Sequence, residues 1–363
     1  MGILPMRPRG VSPLAFDAPG RAKMALLLTG KMPVLRESGM IDLREFLDWV
    51  QTDFEKRYRV GPEAGSYARR AGERRVHLYG IADMACVLYA LHAMPCEEAA
   101  RAQWVRGLQD LQDPRTGRFV ADPPDHGWLH NTAFALGALN LLCALPRHPL
   151  GFARGLADRP SLDAFLDNLD WRAGVYRCSH DGAGLASALA MVPNTVEAEW
   201  FEWYFEYTDG KFAAASGLMG LDKPPAGDCD QIGGTFHYAF LYEYFGRPMP
   251  HPRARIDAVL GLQRASGYWD ERNPLWLTLD AVYMLARAQC RIDHRRSDVI
   301  SAVRRAAAAV HERIRDPQAR AALRPHDVTA VTALFAECRQ FLGADEVRTS
   351  LPLLAVLDRR PFI

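Results

Sequence analysis

The chain of 363 residues is 49% hydrophobic and 24% charged, a composition that fits an ordinary globular protein with a large core, as one domain or two small ones. Its 44 Lys and Arg against 43 Asp and Glu leave a net charge of +1, which excludes nucleic acid as a partner held by bulk electrostatics. Seven cysteines lie scattered without a CxxC pair, so neither a disulfide framework nor a structural zinc cluster is expected, and reduced thiols in a cytoplasmic protein are.

No window approaches the roughly 20 apolar residues of a membrane span. The apolar run Met24–Leu28 is too short for a secretion signal and has no small-residue cleavage site after it. Residues 1–40, rich in Pro, Gly and Arg, read as an irregular arm packed on the outside.

From residue 41 to 345 helical patterns come in pairs, and residues 346–363 follow as a C-terminal tail. The pairs are Ile41–Tyr58 with Tyr79–Ala93, Cys96–Leu111 with His130–Leu145, and Ser161–Leu169 with Asp181–Val192. Glu197–Tyr207 with Asp230–Phe245, Pro252–Gln263 with Leu277–Arg291, and Asp298–Arg313 with Asp327–Leu342 complete six hairpins. Runs with the two-residue alternation of strands do not occur, so the class is all-α. The second helix of each pair is distinctive. Thr132–Leu139, Gly182–Ala190 and Ala330–Ala336 are apolar nearly all round and full of Ala and Gly, as helices buried on every side are. First helices such as Ala99–Leu111 carry charge on one face. Six inner helices ringed by six outer ones, an (α/α)6 toroid, is the predicted architecture.

The loops repeat as well. Gln109–Phe119 and Gln263–Trp269 both place Gln before a Gly and then an aromatic, and Tyr207–Phe212 echoes the Gly-aromatic half. These resemble the Gln-Gly-aromatic repeats of the terpenoid cyclase and protein prenyltransferase toroids, in which the Gln caps a helix end and the aromatic stacks over it.

Each second helix starts in polar residues: His77, Tyr79 and Asp83; Asp125, His126, Trp128, His130 and Asn131; His180 and Asp181; Asp228, Asp230 and His237; Trp276 and Asp280; His326 and Asp327. In a toroid these starts share one end, so the groups converge on a single mouth, the default position of an active site. Helix capping alone would also account for Asp181, Asp327 and Asn131. Asp83 and Asp280 lie inside apolar helices, where a carboxylate without a partner is costly, so each is expected to have a partner or a function.

Asp228-Cys-Asp-Gln231 resembles the Asp-x-Asp-Asp acid motif of class II terpene cyclases, with Gln231 in place of the last Asp. That resemblance implies acid-initiated cyclisation of an isoprenoid, with Asp230 as general acid and Asp228 and His237 supporting it. His180, Asp181, His130, Asn131 and Trp128 would line the opposite wall, and Tyr238, Trp276 and Asp280 would complete the substrate pocket. In the same stretch Gly233 and Gly234, poor helix formers, predict close approach of a helix or a ligand. Trp128, His130, Asn131, His237 and Tyr238 are also similar to the Asn/His/Tyr set of (α/α) polysaccharide lyases and six-hairpin glycosidases, which implies an oligosaccharide substrate. A toroid that only binds a peptide is the third reading. No cofactor is predicted, with Mg2+ reserved for a diphosphate substrate. The Asp, Cys and His ligands of prenyltransferase zinc match Asp228, Cys229 and His326 only loosely, without the family's spacing, so zinc is not expected.

Overall fold

A helix that is apolar on every side has to be surrounded, and the six second helices of the predicted hairpins are. The structure, a computed structural model, describes residues 40–122, 126–172, 174–220 and 229–363. The first hairpin opens with α1 (Arg44–Trp49), a π-helical turn (Val50–Phe54) and α2 (Glu55–Tyr58), and α3 (Leu78–Ala90) follows. Then come α4 (Glu98–Gln109) and α5 (Trp128–Leu141), α6 (Arg159–Asp167) and α7 (Val175–Met191), α8 (Ala198–Asp209) and α9 (Asp230–Tyr244). The rest is α10 (Pro252–Leu262) and α11 (Trp276–Arg291), α12 (Arg296–Arg315), the short α13 (Pro317–Ala321), and α14 (Pro325–Leu342). Among the described residues the strands are β1 (Ile41–Asp42) and β2 (Val347–Arg348), paired in parallel with Ile41 opposite Val347. The chain is all-α. Of the expected N-terminal arm, residues 1–40, all but Met40 lie outside the described residues.

The buried helices form a closed cycle of neighbours: α3 packs on α5, α5 on α7, α7 on α9, α9 on α11, α11 on α14, and α14 back on α3. Small residues let the backbones meet. A Cβ added to Gly184 of α7 would lie 3.1 Å from the Leu129 carbonyl carbon of α5, and one on Gly234 of α9 would lie 2.9 Å from backbone atoms of Val175. Of the two occupants the sequence left open for the Gly233-Gly234 floor, a neighbouring helix is the one present, since the Tyr176 ring closes over Gly233.

Two predicted loops keep their Gln and Gly. The Gln112 amide donates to the Gly117 and His148 carbonyls at 3.1 and 2.8 Å, and the Gln263 amide donates to the Gly267 and Ala302 carbonyls at 2.9 Å each. Each Gln thus ties its own turn to the following segment. Gly117 and Gly267 have φ of +75° and +94°, the left-handed region that glycine tolerates, and the side chains two residues on, Phe119 and Trp269, are fully buried. In the third loop the matching position is Gly217-Leu-Met219 rather than Gly210-Lys-Phe212. There Phe212 pairs with Met219 across an antiparallel bridge, as Gln112 pairs with Phe119.

The segment after β2 does not hang off the ring. It runs into the ring and touches all six of the buried helices. Arg360 donates to Cys86 Sγ of α3 at 2.6 Å, and its guanidinium fills the space over Gly137 of α5. Ser187 of α7 donates to the Pro361 carbonyl at 2.7 Å, and the Phe362 ring sits 5.5 Å from Phe240 of α9. Asp358 accepts from Arg287 of α11 and Gln340 of α14 at 2.9 and 3.2 Å. Arg360 and Phe362 have no exposed surface.

Gly234→Ala separates two opposing effects. Helix propensity favours Ala by about 1 kcal/mol, whereas the 2.9 Å approach to the Val175 backbone leaves no room for a methyl group. Overpacking prevails, and denaturant unfolding is expected to show a net loss of about 1–3 kcal/mol; a stabilised variant would mean that α7 and α9 are not in backbone contact there.

Candidate functional site

Tyr79, in the first turn of α3, is the hub at the polar end of the ring. His77 before it caps the helix, its Nδ1 accepting from the Tyr79 amide at 3.1 Å. The Tyr79 hydroxyl donates to Asn131 Oδ1 at 2.9 Å and lies 2.9 Å from His126 Nδ1 and 2.8 Å from His130 Nδ1. Asn131 is held the right way round because its amide group donates to the His126 carbonyl at 3.3 Å. A phenol has one proton and two lone pairs. With the proton given to Asn131, both imidazoles must donate through Nδ1, and each then carries its lone pair on Nε2.

The same logic applies to His237 on α9. Ser179 Oγ donates to the Tyr176 carbonyl at 2.6 Å and so accepts from His237 Nδ1 at 2.7 Å. His180 on α7 stands edge-on to its neighbours, with ring centroids 4.9 Å from His126, 4.8 Å from His130 and 5.2 Å from His237. His126 and His130 stack at 4.3 Å. Burial pushes the His130 and His237 pKa values well below the ordinary imidazole range, and repulsion among the neighbouring imidazoles adds to it. The cluster is therefore neutral at its centre.

Beside it a cavity of about 260 Å³ is lined by Arg69, Tyr79, Asp83, His126, Tyr176, Trp276, Arg324 and His326, among others. His326 of α14 places Nδ1 3.0 Å from Asp83 Oδ1, and Thr329 donates to the same oxygen at 3.0 Å. Trp276 stacks on the His326 ring at 4.1 Å. Asp83 thus has the partner that its buried position demanded. Asp280, one turn beyond Trp276, is buried too, yet its Oδ1 meets no hydrogen-bond partner among the described residues. Desolvation raises its pKa well above the ordinary carboxylate value.

The structure brings together His130, Asn131, His180, His237 and Trp276 of the residues singled out in the sequence. Asp280 lies buried on the same face of α11 as Trp276. The others stand apart. Asp230 is exposed at the first position of α9, the opposite of what an acid strong enough for an alkene needs. Asp228 and Asp125 lie outside the described residues. Asp181 is half-buried with its carboxylate beside Gly127, just before α5, and burial raises its pKa. Trp128 faces away from the cluster, packed on Phe152 and covered by the Arg118 guanidinium 3.8 Å from its ring centre. Tyr238 is buried against Trp171 and over Gly182, on another side of α9 from His237. Asp327 accepts from the Arg324 backbone N–H at 2.9 Å and from its guanidinium at 3.1 Å, which caps the start of α14, and it also lines the cavity.

Sequence reasoning placed Tyr79, His126, Asp83 and His326 at the mouth without assigning them roles. His126 and His130 stand four residues apart, but His126 precedes the Gly127 N-cap of α5, so the loop before the helix and not a shared helical face brings their rings together. Arg69 and Tyr176 carried no signal, since each comes from a segment without a motif.

An imidazole proton NMR titration tests the electrostatics. The His130 and His237 signals are expected to stay at their neutral positions as pH falls from about 8 to about 6, since the ordinary midpoint is about 6.5. The unfolded chain takes up those two protons first. Their contribution to stability is accordingly full above pH about 6.5 and is lost as pH falls below it. A midpoint at or above the ordinary value for either ring would refute the desolvated cluster.

No protein family, no curated protein and no solved structure matches the chain, so its activity has to be argued from the groups at this mouth.

Proposed function

We propose that the chain is an enzyme built on an (α/α)6 toroid, with its active site in the mouth where the inner helices start. The closed cycle of six buried helices and the charged outer helices support that architecture. The observation that carries the reading is the His326–Asp83 pair. A carboxylate accepting from Nδ1 fixes the imidazole's tautomer and leaves Nε2 as a proton acceptor, the arrangement of a general base and its orienting acid. His326 lines the cavity, and the Trp276 ring stacked on it gives the wall a flat apolar face.

The cavity of about 260 Å³ is lined by Arg69, Arg324, Asp83 and Asp327 as well as by rings. It falls below the roughly 300–1,000 Å³ of pockets for drug-sized ligands. That size and lining suit a small polar acid better than a long hydrocarbon. We read the substrate as an acidic carbohydrate and the reaction as a lyase-type β-elimination. A guanidinium at the rim would neutralise the uronate carboxylate, and His326 Nε2 would take the proton from the carbon beside it. The electron pair would form the new C=C bond as the neighbouring C–O bond breaks, and the departing oxygen would take a proton from solvent water, with His326 later returning its proton to solvent. Trp276 would stack on the sugar ring.

Asp280 favours a second reading, acid-initiated cyclisation of a short isoprenoid. Its carboxyl is buried one turn from Trp276 in an apolar setting, and desolvation raises its pKa, as an acid for an alkene requires. Asp230, exposed, lacks that setting.

The experiment is a parallel incubation with uronate oligosaccharides and with prenyl diphosphates. The lyase reading expects ultraviolet absorbance from an unsaturated sugar product. It also expects a loss of about 10²–10⁴-fold in kcat for His326→Ala, a smaller loss for Asp83→Asn, and no change for Asp230→Asn. Prenyl diphosphate turnover that dies with Asp280→Asn and survives His326→Ala would replace it with the cyclase reading.

A further inference from the structure

The geometry points to a transition-metal site formed by His126, His130 and His180, with a zinc-class divalent ion as its occupant. One ring nitrogen from each of the three lies within 4.8 Å of the other two. Imidazoles bind zinc, copper, iron and nickel, whereas magnesium and calcium take oxygen. A tetrahedral zinc ion holds its nitrogens at about 2.0–2.1 Å, hence about 3.3–3.4 Å from one another, so each ring would move inward by less than about 1 Å.

Three isolated core histidines would satisfy their hydrogen bonds separately. Here the partners are shared and their direction is fixed. The single Tyr79 hydroxyl serves His126 and His130 together and commits its proton to Asn131, which leaves an Nε2 lone pair on both rings. Metal-binding imidazoles almost always donate their other N–H to such a partner, which orients the ring and raises its basicity. His237, set the same way by Ser179 and 5.2 Å from His180, closes the side of the cluster next to α9.

The ligands come from the start of α5 and from α7, neighbours in the ring, so the site exists only once those helices have packed. His126 also lines the cavity. With three protein ligands, an ion there would have a fourth position for water or a substrate oxygen, as catalytic rather than structural zinc does. The prenyltransferase ligands considered from the sequence, Asp228, Cys229 and His326, are a different set. This inference does not depend on the carbohydrate reading, because binding and not turnover decides it.

The test uses full-length protein without a histidine tag, stripped with a chelator and dialysed into chelator-free buffer. Zinc chloride is titrated by calorimetry, and cobalt(II) is followed by its visible absorption. One equivalent should bind, with the intense bands of tetrahedral cobalt and a raised melting temperature, as any ligand confined to the folded state gives. His180→Ala should lower the affinity at least 100-fold, and His294→Ala, on the surface, should leave it unchanged. Tyr79→Phe should lower it about 10–100-fold while the stripped protein keeps its wild-type circular dichroism, with a lower melting temperature from the lost buried hydrogen bonds. That variant stays informative if His180→Ala folds poorly. Absence of saturable binding at micromolar zinc, or undiminished affinity in folded His180→Ala, overturns the site. Undiminished affinity in Tyr79→Phe overturns the orienting role of the phenol.

Discussion

Backbone-to-backbone contact between the buried helices is the constraint from which the other features follow. Small side chains let neighbouring helices of the cycle approach backbone to backbone. Gly184 against α5 and Gly234 against the start of α7 are where that closeness is tightest. Closure buries every side of these helices, which is why their sequences lack a polar stripe. It also leaves an axis, and close-packed interiors do not leave such space empty without loss of contact energy.

The axis is filled in two chemically distinct ways. Toward one end the segment after β2 supplies Arg360, Pro361 and Phe362, so the chain plugs its own ring. Toward the other end the filling is imidazole. Phe362 marks the boundary, since its ring lies 5.0 Å from His130 and packs parallel to His237 at 6.4 Å. Burying so many polar rings is tolerable because their hydrogen bonds run to Tyr79, Ser179 and Asn131 and because desolvation keeps His130 and His237 uncharged. The Phe362 ring under a neutral polar cluster gives a mouth in which any charge arriving from solvent is weakly screened.

Asp83 and Asp280 show how the same residue type, inside equally apolar helices, is put to different use. Asp83 is met by His326 and Thr329 and orients an imidazole. Asp280, whose Oδ1 meets no donor among the described residues, has its pKa raised by burial instead. One is an orienting acceptor and the other a weakened acid, and neither state is a property of aspartate. Both are set by what the adjacent helix brings within 3 Å.

The sequence by itself determined the helices, their order and the small-residue faces that make a ring possible, because 3.6-residue periodicity and helix-forming composition are local. It also located the polar groups at the helix starts. The helix boundaries agree closely, except that α7 begins at Val175, six residues before the predicted Asp181, which sets His180 inside the helix rather than at its tip. Tertiary structure alone decided which of those groups meet. Rotation of a helix by one residue is 100° of arc, so Trp128 and Tyr238 face other elements while His130 and His237, close by in sequence, face the axis. The sharing of one phenol by two imidazoles, the insertion of Arg360 and Phe362 into the ring, and the contrast between Asp83 and Asp280 each join residues from separate helices. No single stretch of chain carries that information, because a hydrogen bond across the ring depends on positions fixed only when the cycle closes.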